Sequence, residues 1–428
     1  MSDMPLAERI KALKDSISFH TPGHSGGVVD FFPFDAPLGE TDWTETAATD
    51  NLLKPEGVIG LSEKATAAAY GTESALYSTA GATALVFTAV YANRSERFLI
   101  YGEAHKSVYN AVAVSGAEAW QTTRTDLKKA LAESGASVVW ITSPDYFGKT
   151  LDLNQIKRTA DEKGVSVIVD ASHGAHFAFS SILPDSATEY FDTVIHSLHK
   201  TMPVLTGGAV MHVKSEHREK YMEAFRTFHT TSPSYPVMLS IEAAVALFKK
   251  EGEKLYRKVK ERIDEFRLGI SGTAYSVAET ADPTRLVISA EGFGAELCEK
   301  LEDEGIYAEC CFDDGVALIV TPFNAHKLID VAAALKRIEY RPTPTQSFPA
   351  CDGATFKLVA EGKKEKVSLS DALGRRMYAG AGVYPPGTLK LFPGQTIGER
   401  ELEILVKLAE MPSERVFGLE NDGINVIK

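Results

Sequence analysis

Five short apolar segments between residues 97 and 213 constrain the fold more than any other feature of the sequence. They are rich in β-branched residues, are separated by helical patterns and cover residues 97–101, 137–142, 165–169, 193–196 and 208–213. Short apolar strands that alternate with helices are typical of a largely parallel sheet covered on both faces. We therefore predict a large three-layer α/β domain with a mainly parallel sheet.

The rest of the chain divides into units around this domain. At 428 residues the chain is longer than one hydrophobic core usually organises. For residues 1–60 the sequence pattern predicts a helix and an ordered arm of loops. For residues 61–265 it predicts the large domain with a long linking helix. Residues 266–340 predict a smaller α/β domain. Residues 341–428 form a C-terminal extension that contains the loop YPPG.

Composition narrows the class of partner. The net charge of −13, with Lys and Arg scattered along the chain, argues against nucleic acid or an anionic membrane and favours a small-molecule substrate. No apolar run is long enough to span a bilayer, and no export signal is visible. The cysteines form no CxxC pair, so we expect reduced thiols in the cytoplasm and no metal site. They are Cys298, Cys310, Cys311 and Cys351.

Two charged residues follow apolar strands of the large domain. Asp170 ends VIVD and Lys200 ends the segment DTVIHSLHK. Ligands of α/β sheets collect at the carboxyl ends of the strands, which places both residues where a ligand would lie. Taken alone, Asp170 fits an N-cap or turn aspartate better than a ligand site, and Lys200 fits a solvated or ion-paired lysine. A buried lysine can also have a lowered pKa suited to Schiff-base formation.

A third segment, Ser78–Thr83, has the composition of an anion site. Its small residues, among them Thr79, Ala80, Gly81 and Ala82, stand where a helix begins, so backbone N–H groups and the helix dipole can bind a phosphate. Close helix packing would select the same residues. Ser197 and His199, next to Lys200, offer further donors. Pyridoxal 5'-phosphate (PLP) needs a lysine, a carboxylate for its pyridine nitrogen and a phosphate site, and all three candidates are present.

Motifs along nearly the whole chain extend this pattern. The chain resembles the ornithine/lysine/arginine decarboxylase family, in the short form that lacks an N-terminal wing domain. The combination of SLHK with TTSPSY is the most specific part of the resemblance. The matching segments are FHTPGHSGG, TETAATDNLLKPEG, STAGA, EAHKS, SPDYFG, DASHGAHF, SLHK, TTSPSYPVM and YPPG.

The resemblance implies a PLP enzyme of fold type I, the aspartate aminotransferase superfamily, acting on a basic amino acid. Lys200 would carry the cofactor as a Schiff base, Asp170 would hold the pyridine nitrogen, and His105 would stack on the ring. His173 would support the bound cofactor or the substrate carboxylate. Ser232, in TTSPSY, resembles a residue of a loop that reaches the neighbouring cofactor across the interface of a homodimer.

Several residues depart from the family pattern. The family usually has Lys at Ser25, Thr at Asp145, an acid at Ala379 and Ala at Ser172. We place Ser25, Asp145 and Tyr384 on the substrate side of the site, so the cofactor is better supported than the identity of the amino acid. Decarboxylation of arginine, lysine or ornithine is the leading hypothesis. Alternatives are transamination, aldol cleavage or elimination on another amino acid by a fold type I enzyme, and a non-catalytic regulatory homologue.

Overall fold

The computed structural model describes residues 4–26, 38–342, 353–358, 362–384, 387–420 and 423–428. The chain begins with α1 (Pro5–Ala12), β1 (Ile17–Phe19) and α2 (Leu38–Thr41). The large domain follows as α3 (Val58–Ala69), β2 (Ser74–Ser78), α4 (Gly81–Ala92), β3 (Arg97–Tyr101), α5 (Lys106–Ser115), β4 (Glu118–Thr122), α6 (Leu127–Ser134), β5 (Val138–Thr142), α7 (Leu153–Lys163), β6 (Ser166–Asp170), β7 (Thr193–His196), α8 (Leu198–Thr201), β8 (Ala209–Val213), α9 (Arg218–Phe228) and α10 (Tyr235–Gly269).

The small domain and the C-terminal extension complete the chain. The small domain consists of β9 (Ser276–Val277), β10 (Arg285–Ser289), α11 (Gly294–Asp303), β11 (Ile306–Ala308), β12 (Cys310–Phe312), β13 (Gly315–Ile319) and α12 (Leu328–Arg337). The extension contains β14 (Thr355–Lys357), β15 (Lys364–Ser368), β16 (Arg376–Met377), β17 (Ala381–Val383), β18 (Thr388–Leu391), α13 (Glu399–Glu410), β19 (Val416–Phe417), β20 (Leu419–Glu420) and β21 (Gly423–Ile427).

An eight-stranded sheet forms the centre of the large domain, in the order β14-β4-β3-β5-β6-β7-β8-β2. Strands β4, β3, β5, β6 and β7 are parallel, whereas β8 runs antiparallel to both of its neighbours and β14 runs antiparallel to β4. The predicted mainly parallel sheet is confirmed, and each of the five apolar segments forms a strand. Strands β2 and β4 are not predicted from the sequence, because their segments SALYS and EAWQT lack β-branched runs.

Helices cover both faces of this sheet because successive strand residues point to opposite sides. Leu99 packs in one cluster with residues of α6 and α7, whereas Phe98 and Ile100 pack in the other with α4, α5 and α10. Both clusters are buried. The three-layer arrangement predicted from the alternation of strands and helices is thus present.

The outer segments of the chain pair with distant elements. In the small domain an antiparallel sheet has the order β12-β13-β10-β9, and β1 of the N-terminal arm pairs with β11. Strand β14 of the extension joins the large sheet through β4. The rest of the extension packs α13 against two small sheets, β15-β21-β16 and β18-β17-β19. The predicted division into four units remains a prediction about the sequence, since these segments interlock in space.

One expectation about the cysteines was wrong. Cys298 of α11 and Cys311 of β12 form a disulfide, with their Cα atoms 5.9 Å apart. The helix packs directly on the strand, which brings together two thiols that the sequence spacing does not associate. Cys310 is free and buried, and Cys351 lies outside the described residues. Among the described residues, every helix is too short or too polar to cross a lipid bilayer.

Candidate active site

The candidate site lies at the carboxyl ends of β6 and β7. Strand β6 ends at Asp170, and β7 is followed by Ser197 and the short helix α8, which contains Lys200. The two strands are parallel neighbours, with Asp170 opposite Ile195 in register. Their ends therefore open at the same edge of the sheet, where ligands of α/β proteins bind.

Lys200 is in direct contact with a histidine. Its Nζ atom lies 3.0 Å from Nε2 of His173. Burial is the main reason that the pKa of Lys200 is lowered, with a smaller contribution from Arg285, while Asp170 and Glu309 act in the opposite direction. A lowered pKa increases the fraction of neutral amine, which is the nucleophilic form.

Asp170 is buried, and its carboxylate accepts hydrogen bonds from Ser172. It is 4% exposed, and its Oδ1 accepts hydrogen bonds from the backbone N–H of Ser172 at 3.1 Å and from Ser172 Oγ at 2.5 Å. Within the described ranges, no basic nitrogen lies within ion-pair distance of this carboxylate. The serine that replaces the usual alanine thus binds Asp170 itself. A buried, unpaired carboxylate is costly, which makes a cationic ligand a good partner for it.

His105 caps the amino end of α5. Its Nδ1 lies 2.8 Å from Ser107 Oγ and accepts from the Ser107 backbone N–H. Burial is the main reason that the pKa of His105 is lowered to about 4, with Asp170 opposing the shift and Lys200 adding to it. The ring is therefore neutral at pH 7. Gly387 has a φ of 88°, and a Cβ there would lie 3.1 Å from His105 Nε2, so the extension packs closely on this ring.

The turn between β2 and α4 is held against the loop that precedes β8. The backbone N–H of Gly81 donates to the Gly207 carbonyl at 2.7 Å, and the N–H of Thr79 donates to His229 Nε2 at 3.1 Å. Gly207 has a φ of 97°, and a Cβ there would lie 2.8 Å from the Thr79 carbonyl oxygen. Thr79, Ala80, Gly81 and Ala82 are thus fixed where α4 begins.

Ser197 and His199 join this turn from the other side. The Oγ of Ser197 lies 3.3 Å from His199 Nδ1, and the His199 N–H donates to the Gly208 carbonyl, next to Gly207. The structure therefore brings the predicted phosphate residues and the lysine-bearing turn together. Hydroxyl and imidazole groups beside a helix amino end are suited to a phosphate.

Three residues that the sequence does not predict as site residues, Tyr146, Arg285 and Glu309, complete the surroundings of His173. Arg285, at the start of β10, is 2% exposed, and its Nη2 donates to His173 Nδ1 at 2.7 Å. The Tyr146 ring packs edge-on against the His173 ring, and its hydroxyl donates to Glu309 Oε1 at 3.0 Å. Arg285 and Glu309 come from the small domain. Only the packing of two domains places them here, so no local motif could have identified them.

The N-terminal arm contacts both sides of the site. The Gly23 N–H donates to the His199 carbonyl at 2.8 Å, and the Thr21 N–H donates to Glu309 Oε2 at 2.9 Å. Ser25 lies two residues further on, has a φ of 53°, and its buried Oγ has no hydrogen-bond partner within the described residues. The arm thus contacts the large domain through Gly23 and the small domain through Thr21.

Three predicted residues are not brought into direct contact with this cluster. The Oδ1 atom of Asp145 accepts from the N–H groups of Phe147 and Lys149 in its own turn. Tyr384 is half exposed, with Lys106 Nζ 5.1 Å from its ring centroid. Ser232 is exposed and bonds to Thr230. Pro385 and Pro386 of the YPPG loop and Gly27 of FHTPGHSGG lie outside the described residues.

The position of the lost family acid lies in a separate cavity. Ala379 lines a cavity of about 350 Å³ together with Lys106 and Tyr378. Within the part of the chain that the structure describes, Asp145 does not line this cavity. A direct replacement of the lost acid by Asp145 therefore has no support from this cavity.

A lysine and a buried carboxylate follow adjacent parallel strands in this sheet order, an arrangement that agrees with the predicted fold type I enzyme. Comparison with known proteins identifies the family. The sequence model "Orn/Lys/Arg decarboxylase, major domain" matches residues 10–126 and 118–286. The chain belongs to the Orn/Lys/Arg decarboxylase family and is a decarboxylase, which confirms the resemblance drawn from SLHK and TTSPSY.

Similar proteins span almost the whole chain. It is 30% identical to the uncharacterized protein YaaO of Bacillus subtilis, over 94% of this chain and 92% of that protein. It is 25% identical to arginine decarboxylase of B. subtilis, over 95% and 93%. The structure of the constitutive lysine decarboxylase of E. coli matches with a TM-score of 0.74 at 19% identity, over 99% of this chain and 82% of that one. That structural match confirms the fold.

Proposed function

We propose that the protein is a PLP-dependent decarboxylase of a basic amino acid, with arginine as the first substrate to test. The observation that carries the proposal is the grouping of Lys200, His173 and Asp170 at one sheet edge. Arginine comes first because an arginine decarboxylase matches nearly the whole chain.

The residues present fit PLP. The buried carboxylate of Asp170, without an ion-pair partner among the described residues, suits a protonated pyridine nitrogen. Lys200 supplies the amine, and the neutral ring of His105 offers a flat surface for stacking. Ser197 and His199, beside the turn at Thr79–Ala82 where α4 begins, would provide side-chain donors for the phosphate, and the amino end of α4 adds its dipole. When bound, PLP accepts the electron pair that the leaving carboxylate releases.

The chain's own groups then account for the remaining steps. The reaction replaces the carboxylate on Cα with a proton, giving CO₂ and the amine. His173 and Lys200 lie in hydrogen-bond contact, so either can hold the proton delivered to Cα. Asp170 would hold the protonated ring nitrogen of the bound cofactor, and the arm contacts the site through Gly23 and Thr21.

A panel of amino acids tests this function. Protein supplied with PLP is incubated with L-arginine, L-lysine, L-ornithine and neutral and acidic amino acids, and CO₂ and amine products are measured by mass spectrometry. We expect CO₂ and one matching amine from a basic amino acid, and neither from Lys200→Ala. A keto acid, an elimination product or no reaction with any basic substrate would contradict the proposal.

Substrate selection and assembly are proposed on the family resemblance. Asp145 is proposed to contribute to the recognition of the cationic substrate group, so Asp145→Asn should lower the preference for basic over neutral amino acids. Exposed Ser232 lies in TTSPSY, which is proposed to complete the site of a second copy in a homodimer. Analytical ultracentrifugation with parallel assays should show activity falling as dimers dissociate. A fully active monomer would rule out the shared site.

A further inference from the structure

Arg285, His173 and Lys200 form a continuous hydrogen-bond chain. Arg285 Nη2 lies 2.7 Å from His173 Nδ1, and Nε2 on the opposite side of the ring lies 3.0 Å from Lys200 Nζ. Arg285 and His173 are both buried, at 2% and 7% exposure. The Tyr146 ring packs against the His173 ring in a T-shaped arrangement, with the centroids 5.2 Å apart. The geometry thus fixes which partner each imidazole nitrogen meets.

The donors in this chain determine where its protons lie. A guanidinium nitrogen only donates, so His173 Nδ1 must accept and cannot carry a proton. The proton of the neutral ring is then on Nε2, which donates toward Lys200. The Nζ of Lys200 can accept that hydrogen bond only as a neutral amine, because an ammonium group has no lone pair.

We propose that Arg285 is a positioning residue that acts through His173, placing the histidine proton on Nε2 so that Lys200 is held as a neutral amine. The proposal deepens the proposed function and rests on it, since it assigns how Lys200 is prepared to attack the cofactor or to release the product. The hydrogen bond of Arg285 goes to His173, and His173 in turn contacts Lys200.

The charges around the lysine agree with this assignment. Burial is the main reason that the pKa of His173 is lowered far below its usual value, with Lys200 and Arg285 adding to the shift, so the ring stays neutral. The groups that act on Lys200 or respond to it come from every neighbouring element. They are Asp170, His105, His173, His199, Arg285 and Glu309.

Arg285 also has no competing ion pair. Among the described residues no carboxylate oxygen lies within 4.0 Å of its guanidinium, and its Nη1 is buried without a hydrogen-bond partner. The neighbouring Asp282 is engaged by Thr284 and His176 instead. Burying a guanidinium costs free energy of desolvation, so packing alone does not explain a buried arginine whose side chain donates to His173.

The test measures the amine directly in cofactor-free protein. Acetic anhydride labels lysines over a pH series, and mass spectrometry follows the Lys200 peptide against exposed Lys258 as the internal reference. We expect a low apparent pKa for Lys200 that rises by about one unit or more in Arg285→Met and returns toward the original value in Arg285→Lys. Arg337→Met, which removes an exposed arginine, should leave it unchanged. An unshifted Arg285→Met protein that melts normally would overturn the proposal.

A double-mutant comparison separates action through His173 from action by charge alone. In a His173→Phe background, Arg285→Met should shift the Lys200 pKa by less than half as much as in the original protein. An equal shift in both backgrounds would mean that only the charge of Arg285 matters. Should Arg285→Met fail to fold, ¹⁵N-histidine spectra of the unaltered protein decide: a His173 proton on Nε2 supports the proposal and one on Nδ1 overturns it. These readings do not depend on decarboxylation, so failure of the proposed function is recognised separately.

Discussion

The candidate site has two halves that differ in how the chain builds them. The cofactor half consists of Thr79–Ala82, His105, Asp170 and Ser197–Lys200. These residues lie where strands of the large sheet end or where the helices that follow them begin. The small-domain half consists of Arg285 and Glu309, which reach the site only because a second sheet packs beside it. The first half is a property of local sequence, and the second is a property of tertiary packing.

This difference implies different costs of mutation. Groups of the cofactor half would contact the reacting atoms, so their loss should remove whole steps of the chemistry. Groups of the small-domain half act on Lys200 through His173 or through the electric field, so their loss should change the pH at which those steps occur. The following mutations test that contrast.

Replacing the lysine should give the largest effect. Lys200→Ala removes the only amine placed against His173 among the described residues, so we expect no covalent attachment of PLP and no measurable decarboxylation. Absorbance spectra of the protein with PLP, together with mass spectrometry after borohydride reduction, measure the attachment. Lys258→Ala, on the exposed face of α10, is the control. Persistent labelling of the Lys200→Ala protein at another lysine would place the cofactor elsewhere.

Replacing the carboxylate should come next. Asp170→Asn keeps the shape and the contact with Ser172 but loses the charge that stabilises a protonated ring nitrogen. We expect a fall in kcat on the order of 10²-fold or more with PLP still bound. Ser172→Ala, which removes the 2.5 Å donor and keeps the carboxylate, should lose much less. Equal losses in the two variants would make Asp170 a structural group only.

The fold was largely predictable because its main signal is local. The alternation of apolar segments with helices gave the strands β3, β5, β6, β7 and β8, and periodicity gave the long helix α10. Strands β2 and β4 were missed because Ser74–Ser78 and Glu118–Thr122 obtain their strand conformation from pairing partners rather than from β-branched residues. The disulfide between Cys298 and Cys311 was missed for the same reason, since only packing brings them together.

The site was predictable to the extent that it lies on motifs. Asp170 and Lys200 follow strands, and their convergence follows from the neighbouring positions of β6 and β7. Arg285 was not found because DPTR shows no sign of the contact with His173, more than a hundred residues away in the chain. Asp145 was singled out as an unusual acid, but its Oδ1 holds its own turn. A departure from the family pattern thus marks a changed position, and a contact of Asp145 with substrate is the proposal that the Asp145→Asn assay tests.

A smaller effect is expected from the phosphate side of the cofactor half. Gly207→Ala forces a residue with a Cβ into a φ of 97° and places that atom 2.8 Å from the Thr79 carbonyl oxygen. The turn before α4 must shift, so we expect PLP affinity to fall about tenfold, measured by fluorescence titration. Gly164→Ala, also at positive φ but with open space around it, carries a similar strain of about 1–2 kcal/mol and should leave PLP affinity unaltered. Similar affinities in both variants would contradict the assigned phosphate site.

Glu309→Gln should give the smallest effect. The direction of the resulting shift in the Lys200 pKa tests whether the small-domain half acts on Lys200 through charge. The Glu309 carboxylate raises the pKa of Lys200, against the larger lowering by burial. Removing that charge should therefore lower the Lys200 pKa further, so the neutral amine persists to lower pH. The midpoint of PLP capture by cofactor-free protein should move toward acid by a few tenths of a unit, well below the roughly 1–3 units caused by a charge in direct contact. The Gln side chain can still accept from Tyr146, which preserves most of the packing.

Glu304→Gln is the control: Glu304 forms an exposed ion pair with Arg337, so its replacement should not move the midpoint of PLP capture. A shift toward alkaline pH would show that Glu309 acts on the site through the arm at Thr21 rather than through its charge.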